Sequence, residues 1–208
     1  DVRSVNLPYS FYFADKSSSV TVTCPGASGE WKNSYTWRAL LAFMDGAFSS
    51  CSSLTSVEIL GPVKELTGTS GVFSGCTALK NVTLPDTLTN IGTGTFNGCA
   101  SLEKIDLPAG LTEIGKEAFN GCESLKEAII PDGVTEIPSY AFTGCLALEK
   151  VELPEGITSI GEYAFDLTAE NDSGEYVNEN PKLESINIPS TVTSIAGNFL
   201  GGVKANGD

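Results

Sequence analysis

The sequence has no histidine among its 208 residues. This absence excludes Ser-His-Asp and Cys-His catalysis and removes a ligand that most catalytic zinc sites use. Basic residues are scarce as well: 12 lysines and arginines stand against 26 acidic residues, a formal net charge of −14. Because a surface of that sign repels phosphate backbones and anionic lipid headgroups, we expect no nucleic acid and no membrane surface as partner.

Long apolar runs are missing too. None approaches the roughly 18 residues that a membrane-spanning helix needs, so we expect no direct membrane insertion. The N-terminus shows no signal-peptide pattern, and it begins with Asp1 rather than Met, so we expect that an upstream secretion signal has been removed. No G-x-S-x-G nucleophile motif and no phosphate-binding P-loop occurs. These absences favour a non-catalytic protein without a cofactor.

The chain does contain a repeat, which is clearest around a phenylalanine followed by glycine and cysteine. Aligned on the phenylalanine, the copies are 25, 23, 23, 23, 23 and 34 residues apart. The period is therefore 23 residues, with a short insertion early and a longer one late. The aligned positions are Phe48, Phe73, Phe96, Phe119, Phe142, Phe165 and Phe199.

A second unit, of the form Leu-x-x-Val-x-Leu-Pro, recurs with the same period. Its Val-x-Leu part alternates like a short, half-buried strand, and the proline that follows ends the pairing because it has no N–H to donate. The unit starts at Val2, Leu54 (here without the proline), Leu79, Leu102, Leu125, Leu148 and Leu183.

A third column has the form Thr-x-Ile, at Thr89, Thr112, Thr135, Thr158 and Thr193. Each unit thus has about seven inward apolar positions and a strand that is too short to be stable alone. Such a unit buries its apolar face only by stacking on copies of itself. The pattern predicts a repeat solenoid with a parallel β-sheet along one side, its strands about 4.8 Å apart.

The combined motif, L-x-x-[IV]-x-L-P-x-x-[LVI]-T-x-I-G-x-x-A-F-x-G-C, resembles that of the BspA-like, or Treponema-type, leucine-rich repeat family. The resemblance covers residues 40–202 and, more weakly, 1–8. It implies a right-handed superhelix of about seven coils with the parallel sheet on its concave side. It also implies a bacterial protein that is secreted or displayed on the cell surface, since several known members are adhesins.

Two segments interrupt the repeat. We divide the chain into 1–39, a first strand with a β-rich, aromatic-rich N-terminal cap insertion, and 40–208, the solenoid. The insertion contains Trp31, Tyr35 and Trp37, and it includes both tryptophans of the chain. These aromatic side chains either cover the open end of the core or form a ligand-binding patch for a protein or a sugar ring.

The second interruption, residues 166–181, is acidic and has no basic residue. Clustered carboxylates can ligate Ca²⁺, but the D-x-D-x-D-G spacing of a calcium loop is absent. We interpret this segment as a solvated surface loop and expect no metal site.

The polar positions of the predicted strands form columns on the outer face of the sheet, and charge alternates from coil to coil in the first two. Opposite charges on neighbouring strands stabilise a sheet, so the sequence predicts pairing of Lys80, Glu103, Lys126 and Glu149 along the first column. We interpret the face mainly as a soluble surface, with a polar docking site for a protein as the alternative. Ile129 is its one apolar residue.

The repeated cysteines occupy the same corner of five consecutive coils. Metal ligands must converge on a point, which a ladder does not do, and five equivalent positions cannot all pair as disulfides. We therefore predict buried free thiols that pack as small apolar groups. The ladder consists of Cys51, Cys76, Cys99, Cys122 and Cys145, and Cys24 lies outside it.

The sequence leaves several functions open. The first is a secreted or surface-displayed binding protein, with Trp31, Tyr35 and Trp37 as candidate ligand contacts and a host-matrix protein or glycan as partner. The alternatives are a spacer that presents other domains and a carbohydrate-binding module. The last coil has no obvious polar cap, so we expect its exposed end to be covered either by further chain or by a second copy through end-to-end self-association.

Overall fold

The computed structural model describes residues 2–5, 19–23, 46, 48–60, 63–68, 71–170, 176–178, 183 and 185–200. Within these ranges the protein consists of short strands joined by turns. The strands are β1 (Val2–Val5), β2 (Ser19–Thr23), β3 (Ser56–Leu60), β4 (Glu65–Leu66), β5 (Asn81–Thr83), β6 (Asn90–Ile91), β7 (Glu113–Ile114), β8 (Glu127–Ile129), β9 (Glu136–Ile137), β10 (Lys150–Glu152), β11 (Ser159–Ile160), β12 (Thr168–Glu170), β13 (Tyr176–Asn178) and β14 (Ser194–Ile195).

The predicted parallel sheet is present along one side of the solenoid. It contains a four-stranded part in the order β1-β2-β3-β5 and a pair formed by β8 and β10, all parallel. In β8 and β10 only the central residue, Ala128 or Val151, is buried, which is the alternation that the sequence predicted. The equivalent residues 104–106 and 185–187 lie in the same line without regular strand structure.

A second line of parallel strands arises from the Thr-x-Ile column. Here the orders are β4-β6-β7 and β9-β11-β14. The isoleucines of β6 and β9 are fully buried. The threonines just before β7 and β11 bond these coils to the coils before them. The Thr112 hydroxyl donates to the carbonyl of Thr89 at 3.1 Å, and Thr158 donates to Thr135 at 3.0 Å. The sequence predicted this column only as inward apolar positions.

The core between the two lines is dominated by a stack of phenylalanine rings. Adjacent rings have centroids 5.2 to 5.5 Å apart and are inclined by 2° to 19°. Stacking therefore continues along the solenoid, and each ring depends on the coils on both sides. The stacked residues are Phe48, Phe73, Phe96, Phe119, Phe142 and Phe165.

The Phe-x-Gly-Cys segment is a tight turn. Its glycines have φ between 68° and 74°, the left-handed region, which a residue with a Cβ enters only at a cost. Each glycine N–H donates to the next coil, as in the 2.8 Å bond from Gly121 to the carbonyl of Thr143. These glycines are Gly75, Gly98, Gly121 and Gly144.

We expect Gly121→Ala to lower the free energy of unfolding by about 1–2 kcal/mol, because alanine disfavours the left-handed region. A new Cβ would lie 3.5 Å from the Cα of Gly98, an ordinary contact, so conformational strain is the main cost. Gly110→Ala is the matched control, since its Cβ also meets its nearest atom at 3.5 Å but its φ lies outside the left-handed region. Urea unfolding of both variants checks this; equal changes would contradict the conformational explanation.

The last described coil corrects the alignment on Phe199. Phe142 donates its N–H to the carbonyl of Ala164, whereas Phe165 donates to the carbonyl of Phe199. Phe199 therefore takes the position of Ala164, and Leu200 takes that of Phe165. Left-handed φ values of 53° at Tyr163 and 59° at Asn198 confirm this register. The alignment was wrong by one residue because a large apolar residue replaces the small one beside it.

The N-terminal register also differs from the prediction. In the sheet, Val5 pairs with Val22, which pairs with Ile59, whereas the sequence repeat had matched Val5 to Val57. Strand β2 lies between β1 and β3, so the segment inserted after Pro8 contributes a strand to the main sheet.

The acidic interruption contains a two-stranded antiparallel hairpin rather than loop alone. In it Thr168 pairs with Asn178 and Glu170 with Tyr176. The carboxylate of Asp166 accepts bonds from the N–H and the hydroxyl of Thr168 at 3.0 and 2.7 Å, so it forms the turn into the hairpin.

Candidate binding surface on the strand face

The outward side chains of residues 103–106, 126–129 and 149–152 form one exposed surface, here called the strand face. Three columns cross it, with one residue per coil in each column. The first column is Glu103, Lys126 and Glu149, the second is Lys104, Glu127 and Lys150, and the third is Asp106, Ile129 and Glu152.

The first column contains one of the predicted ion pairs between coils. The ammonium of Lys126 lies 2.7 Å from the Glu103 carboxylate. This hydrogen bond lowers the pKa of Glu103 and raises that of Lys126, and the charges of Lys80 and Glu149 act in the same directions. Because all these groups are exposed, salt weakens their interaction.

The second and third columns pair within coils instead. Lys104 contacts Asp106 at 2.9 Å, and Lys150 contacts Glu152 at 2.6 Å. These bonds raise the pKa of both lysines, and the charge of Glu127, which lies between them, adds to the effect. The sequence predicted alternating signs but not this choice of partners.

In the central coil of the strand face the third-column residue is Ile129. Its neighbour in the second column is Glu127, whereas the outer coils have a lysine there. The side chain of Ile129 is 40% exposed, and apart from Ile195 it is the only strongly exposed large apolar residue among those described. It stands between Asp106 and Glu152, whose carboxylates are held by Lys104 and Lys150. The middle of the face therefore combines an apolar side chain with a charged border.

Ile129 lines a groove of about 730 Å³. Beside the exposed Ile129, its apolar lining includes Ile130, which belongs to the core, and Leu107 and Leu153, which pack against the core. Its charged lining consists of four carboxylates and one ammonium, a formal charge of −3. These charged residues are Lys104, Asp106, Glu127, Asp132 and Glu152.

The cysteine ladder serves packing. Cys76, Cys99, Cys122 and Cys145 are fully buried free thiols, as predicted, whereas Cys51, which was also predicted to be buried, is a half-buried free thiol. The thiol of Cys122 donates to the carbonyl of Phe96 at 3.2 Å, and Cys145 donates to Phe119 at 3.3 Å. Burial raises the pKa of Cys76 to about 12 and that of Cys122 far above its ordinary value. Thiols in this state are poor nucleophiles.

A family model for the BspA-type leucine-rich repeat region matches residues 42–171 in six copies. The chain belongs to this family. The match confirms the resemblance drawn from the sequence motif. Among proteins with curated descriptions, none matches this BspA-type repeat chain.

Two solved structures resemble this BspA-type repeat protein. A leucine rich cell surface protein from Faecalibacterium prausnitzii A2-165 shares 32% identity at a TM-score of 0.65, over 86% of this chain and 43% of that one. The leucine-rich repeat protein of T. pallidum shares 25% identity at a TM-score of 0.56, over 73% of this chain and 76% of that one. The present chain thus spans less than half of the F. prausnitzii protein.

The sequence-predicted ligand contacts, Trp31, Tyr35 and Trp37, lie outside the described residues, as does Cys24. The acidic segment is described only in part. Within the described ranges, no three His, Cys, Asp or Glu side chains are placed to share a metal ion. None of the described residues belongs to a helix long and apolar enough to cross a membrane.

Sequence reasoning missed the groove around Ile129. It identified Ile129 as an apolar exception on a polar face but assigned it no role. One signal in the sequence could have indicated it. In the third column the apolar Ile129 stands between two acidic residues, Asp106 and Glu152, at intervals of 23 residues.

Proposed function

We propose that this protein is a non-catalytic binding protein of the bacterial cell surface. Its groove takes a segment of a partner protein that carries an apolar side chain next to lysine or arginine. This proposal rests mainly on the exposure of Ile129, whose side chain is 40% exposed in a groove with a formal charge of −3. The surface location rests on the F. prausnitzii relative, which is described as a cell surface protein.

The chemistry of the groove favours this class of partner. An apolar side chain that covers Ile129 removes apolar area from water, at about 25 cal/mol per Å². A neighbouring basic side chain meets Glu127 and Asp132, neither of which is in one of the described ion pairs. The non-catalytic part of the proposal rests on the missing histidine and on the protonated state of the buried thiols.

Selection of short random peptides on the immobilised protein tests the groove. We expect enriched peptides to combine an aliphatic or aromatic residue with an adjacent lysine or arginine. Ile129→Glu should weaken their binding by at least about tenfold, because it places a further carboxylate where the apolar contact forms. Titration calorimetry or surface plasmon resonance measures the change, and the association rate should fall as salt rises.

Ile195→Glu is the matched control, since it adds the same charge at the other strongly exposed isoleucine and should leave peptide binding unchanged. Host-matrix proteins and glycans are tested with the same variants. If Trp31→Ala or Trp37→Ala abolishes binding and Ile129→Glu does not, the site lies in the aromatic N-terminal segment and the groove proposal is wrong. If no ligand binds to any surface, the spacer function is favoured.

A further inference from the structure

Pro138 interrupts the hydrogen bonds between two neighbouring coils. In the other coils the residue after the Thr-x-Ile unit donates its N–H to a carbonyl of the coil before it, at 2.7 to 2.8 Å. These donors are Gly92, Gly115, Gly161 and Ala196. Pro138 stands at the same position in its coil, and proline has no N–H to donate. Within the described residues, no N–H donates to the carbonyl of Ile114, which this position would serve.

Proline also needs room that is missing at this position in other coils. A Cβ added at Gly115 would lie 2.3 Å from the backbone nitrogen of Thr93, and one at Gly161 would lie 2.4 Å from that of Ser139. Real Cβ atoms do not come so close, so glycine is what allows these coils to approach each other. Pro138 carries a Cβ and a ring there, which keeps its coil from the same close approach.

The gap extends along the Thr-x-Ile line between residues 102–124 and residues 125–147, and this interface is here called the joint. Thr112 and Thr158 each donate both the backbone N–H and the hydroxyl to the coil before them. Within the described residues, Thr135 donates neither group, and β7 and β9 belong to separate sheets. The joint is the only one of the described coil interfaces without the Thr-x-Ile bonds.

The main sheet is also open at the joint. Residues 104–106 have no strand structure, and they form no backbone hydrogen bond to any other described residue. On the strand face the two coils are linked by Lys126, whose N–H donates to the carbonyl of Glu103 and whose ammonium pairs with its carboxylate. The remaining backbone bonds lie along the Phe-x-Gly-Cys turns, as in the bond from Gly121 to Thr143.

Bonds on one side of the joint and gaps on the other two make it a hinge. Segments with few backbone hydrogen bonds open at low cost in free energy, and hinges concentrate at such places. The groove around Ile129 lies where the two open lines meet. Five of its lining residues come from 104–109, on one side of the joint, and five come from 127–132, on the other. Bending at the joint therefore moves two walls of the groove relative to each other.

We propose that the solenoid bends at the joint and that this bending opens and closes the groove around Ile129. The open form admits the segment of the partner protein, and the bound segment then holds the two walls together. A ligand that contacts both walls favours the closed form, because it makes both sets of contacts only there. The regulation rests on the proposed function of the groove, whereas the joint itself depends on no ligand.

Hydrogen exchange of the unliganded chain, followed by NMR, tests the joint. We expect the amides of Thr135 and Glu136 to exchange at least about tenfold faster than those of Thr112 and Glu113. The two pairs occupy equivalent positions, but only Thr112 and Glu113 donate to the coil before them. If the two pairs exchange at the same rate, the joint does not exist and the proposal is wrong.

Pro138→Gly should slow the exchange of the Thr135 and Glu136 amides by at least about tenfold, because it restores the missing donor and removes the ring. Glycine by itself makes a chain more flexible, so added flexibility would change the rate in the opposite direction. Pro85→Gly is the matched control, since Pro85 lies outside the groove lining and away from the joint, and it should leave both amides unchanged. Circular dichroism establishes that both variants are folded.

Peptides selected on the groove test its regulation. We expect them to associate at least about threefold more slowly with Pro138→Gly than with wild type, because the stiffened groove opens less often. Pro85→Gly should leave the association rate unchanged. Equal rates for wild type and Pro138→Gly, together with slowed exchange, would overturn the regulation and leave the function of the groove intact. If no selected peptide depends on Ile129, the proposed function and its regulation are both wrong, and hydrogen exchange still shows whether the joint exists.

Discussion

Replacing Phe119 by alanine should lower the free energy of unfolding by about 3–5 kcal/mol, the range for buried Phe→Ala changes. The ring is fully buried and stacks on Phe96 at 5.5 Å and on Phe142 at 5.2 Å. Alanine therefore leaves a cavity and interrupts the aromatic stack in the middle of the solenoid. Because each coil is held mainly by its neighbours, the loss weakens the coupling between the two halves.

Urea unfolding followed by circular dichroism measures this loss. Phe119→Leu should cost less, because leucine fills part of the volume and already stands at the equivalent position of the last coil, Leu200. Ile129→Ala is the surface control and should change stability by about 0.5 kcal/mol or less. If Phe119→Ala is as stable as this control, the phenylalanine stack does not hold the coils together.

Stability should fall steeply as pH rises above about 8.5, the ordinary pKa of cysteine. Burial raises the pKa of the four ladder thiols in the folded state, for Cys76 to about 12. Above pH 8.5 the unfolded chain therefore loses protons that the folded chain keeps, and unfolding becomes more favourable. The stabilisation is fully present below that pH, and for Cys76 the loss continues until about pH 12.

Each buried thiol contributes up to about 1.4 kcal/mol per pH unit in this window, so four contribute up to roughly 6 kcal/mol per pH unit. This slope is large against a typical total stability of about 5–15 kcal/mol. Urea unfolding at a series of alkaline pH values, with reductant present, measures it. The slope of the free energy of unfolding against pH gives the difference in the number of bound protons between the unfolded and the folded chain.

Cys122→Ala should reduce the alkaline slope by about one quarter, because it removes one of the four buried thiols. Cys51→Ala is the matched control, since Cys51 is only half-buried and should contribute less. Tyrosine and lysine titrate in the same range, but they are unchanged in both variants. If wild type and Cys122→Ala have the same slope, the loss of stability at alkaline pH comes from tyrosine and lysine rather than from the buried thiols.

Much of the candidate site was predictable because its residues repeat at a fixed interval. Alternation of Glu103, Lys126 and Glu149 at a spacing of 23 residues places them side by side once strands are parallel and in register. The groove around Ile129 was not predictable in this way. Whether Lys104 pairs with Asp106 in its own coil or with Glu127 in the next depends on side-chain conformations, which periodicity does not specify.

The sequence by itself determined the repeat, the parallel solenoid, the buried phenylalanines and the thiol ladder, because each coil repeats the same inward pattern and only stacking buries it. Tertiary structure decided the rest. The register of Leu200 and the pairing of residues 19–23 with β3 depend on backbone hydrogen bonds between residues more than 30 positions apart. A local pattern does not specify which distant carbonyl a given N–H will meet. The hairpin after Asp166 depends on antiparallel pairing inside the inserted segment, which the repeat does not describe.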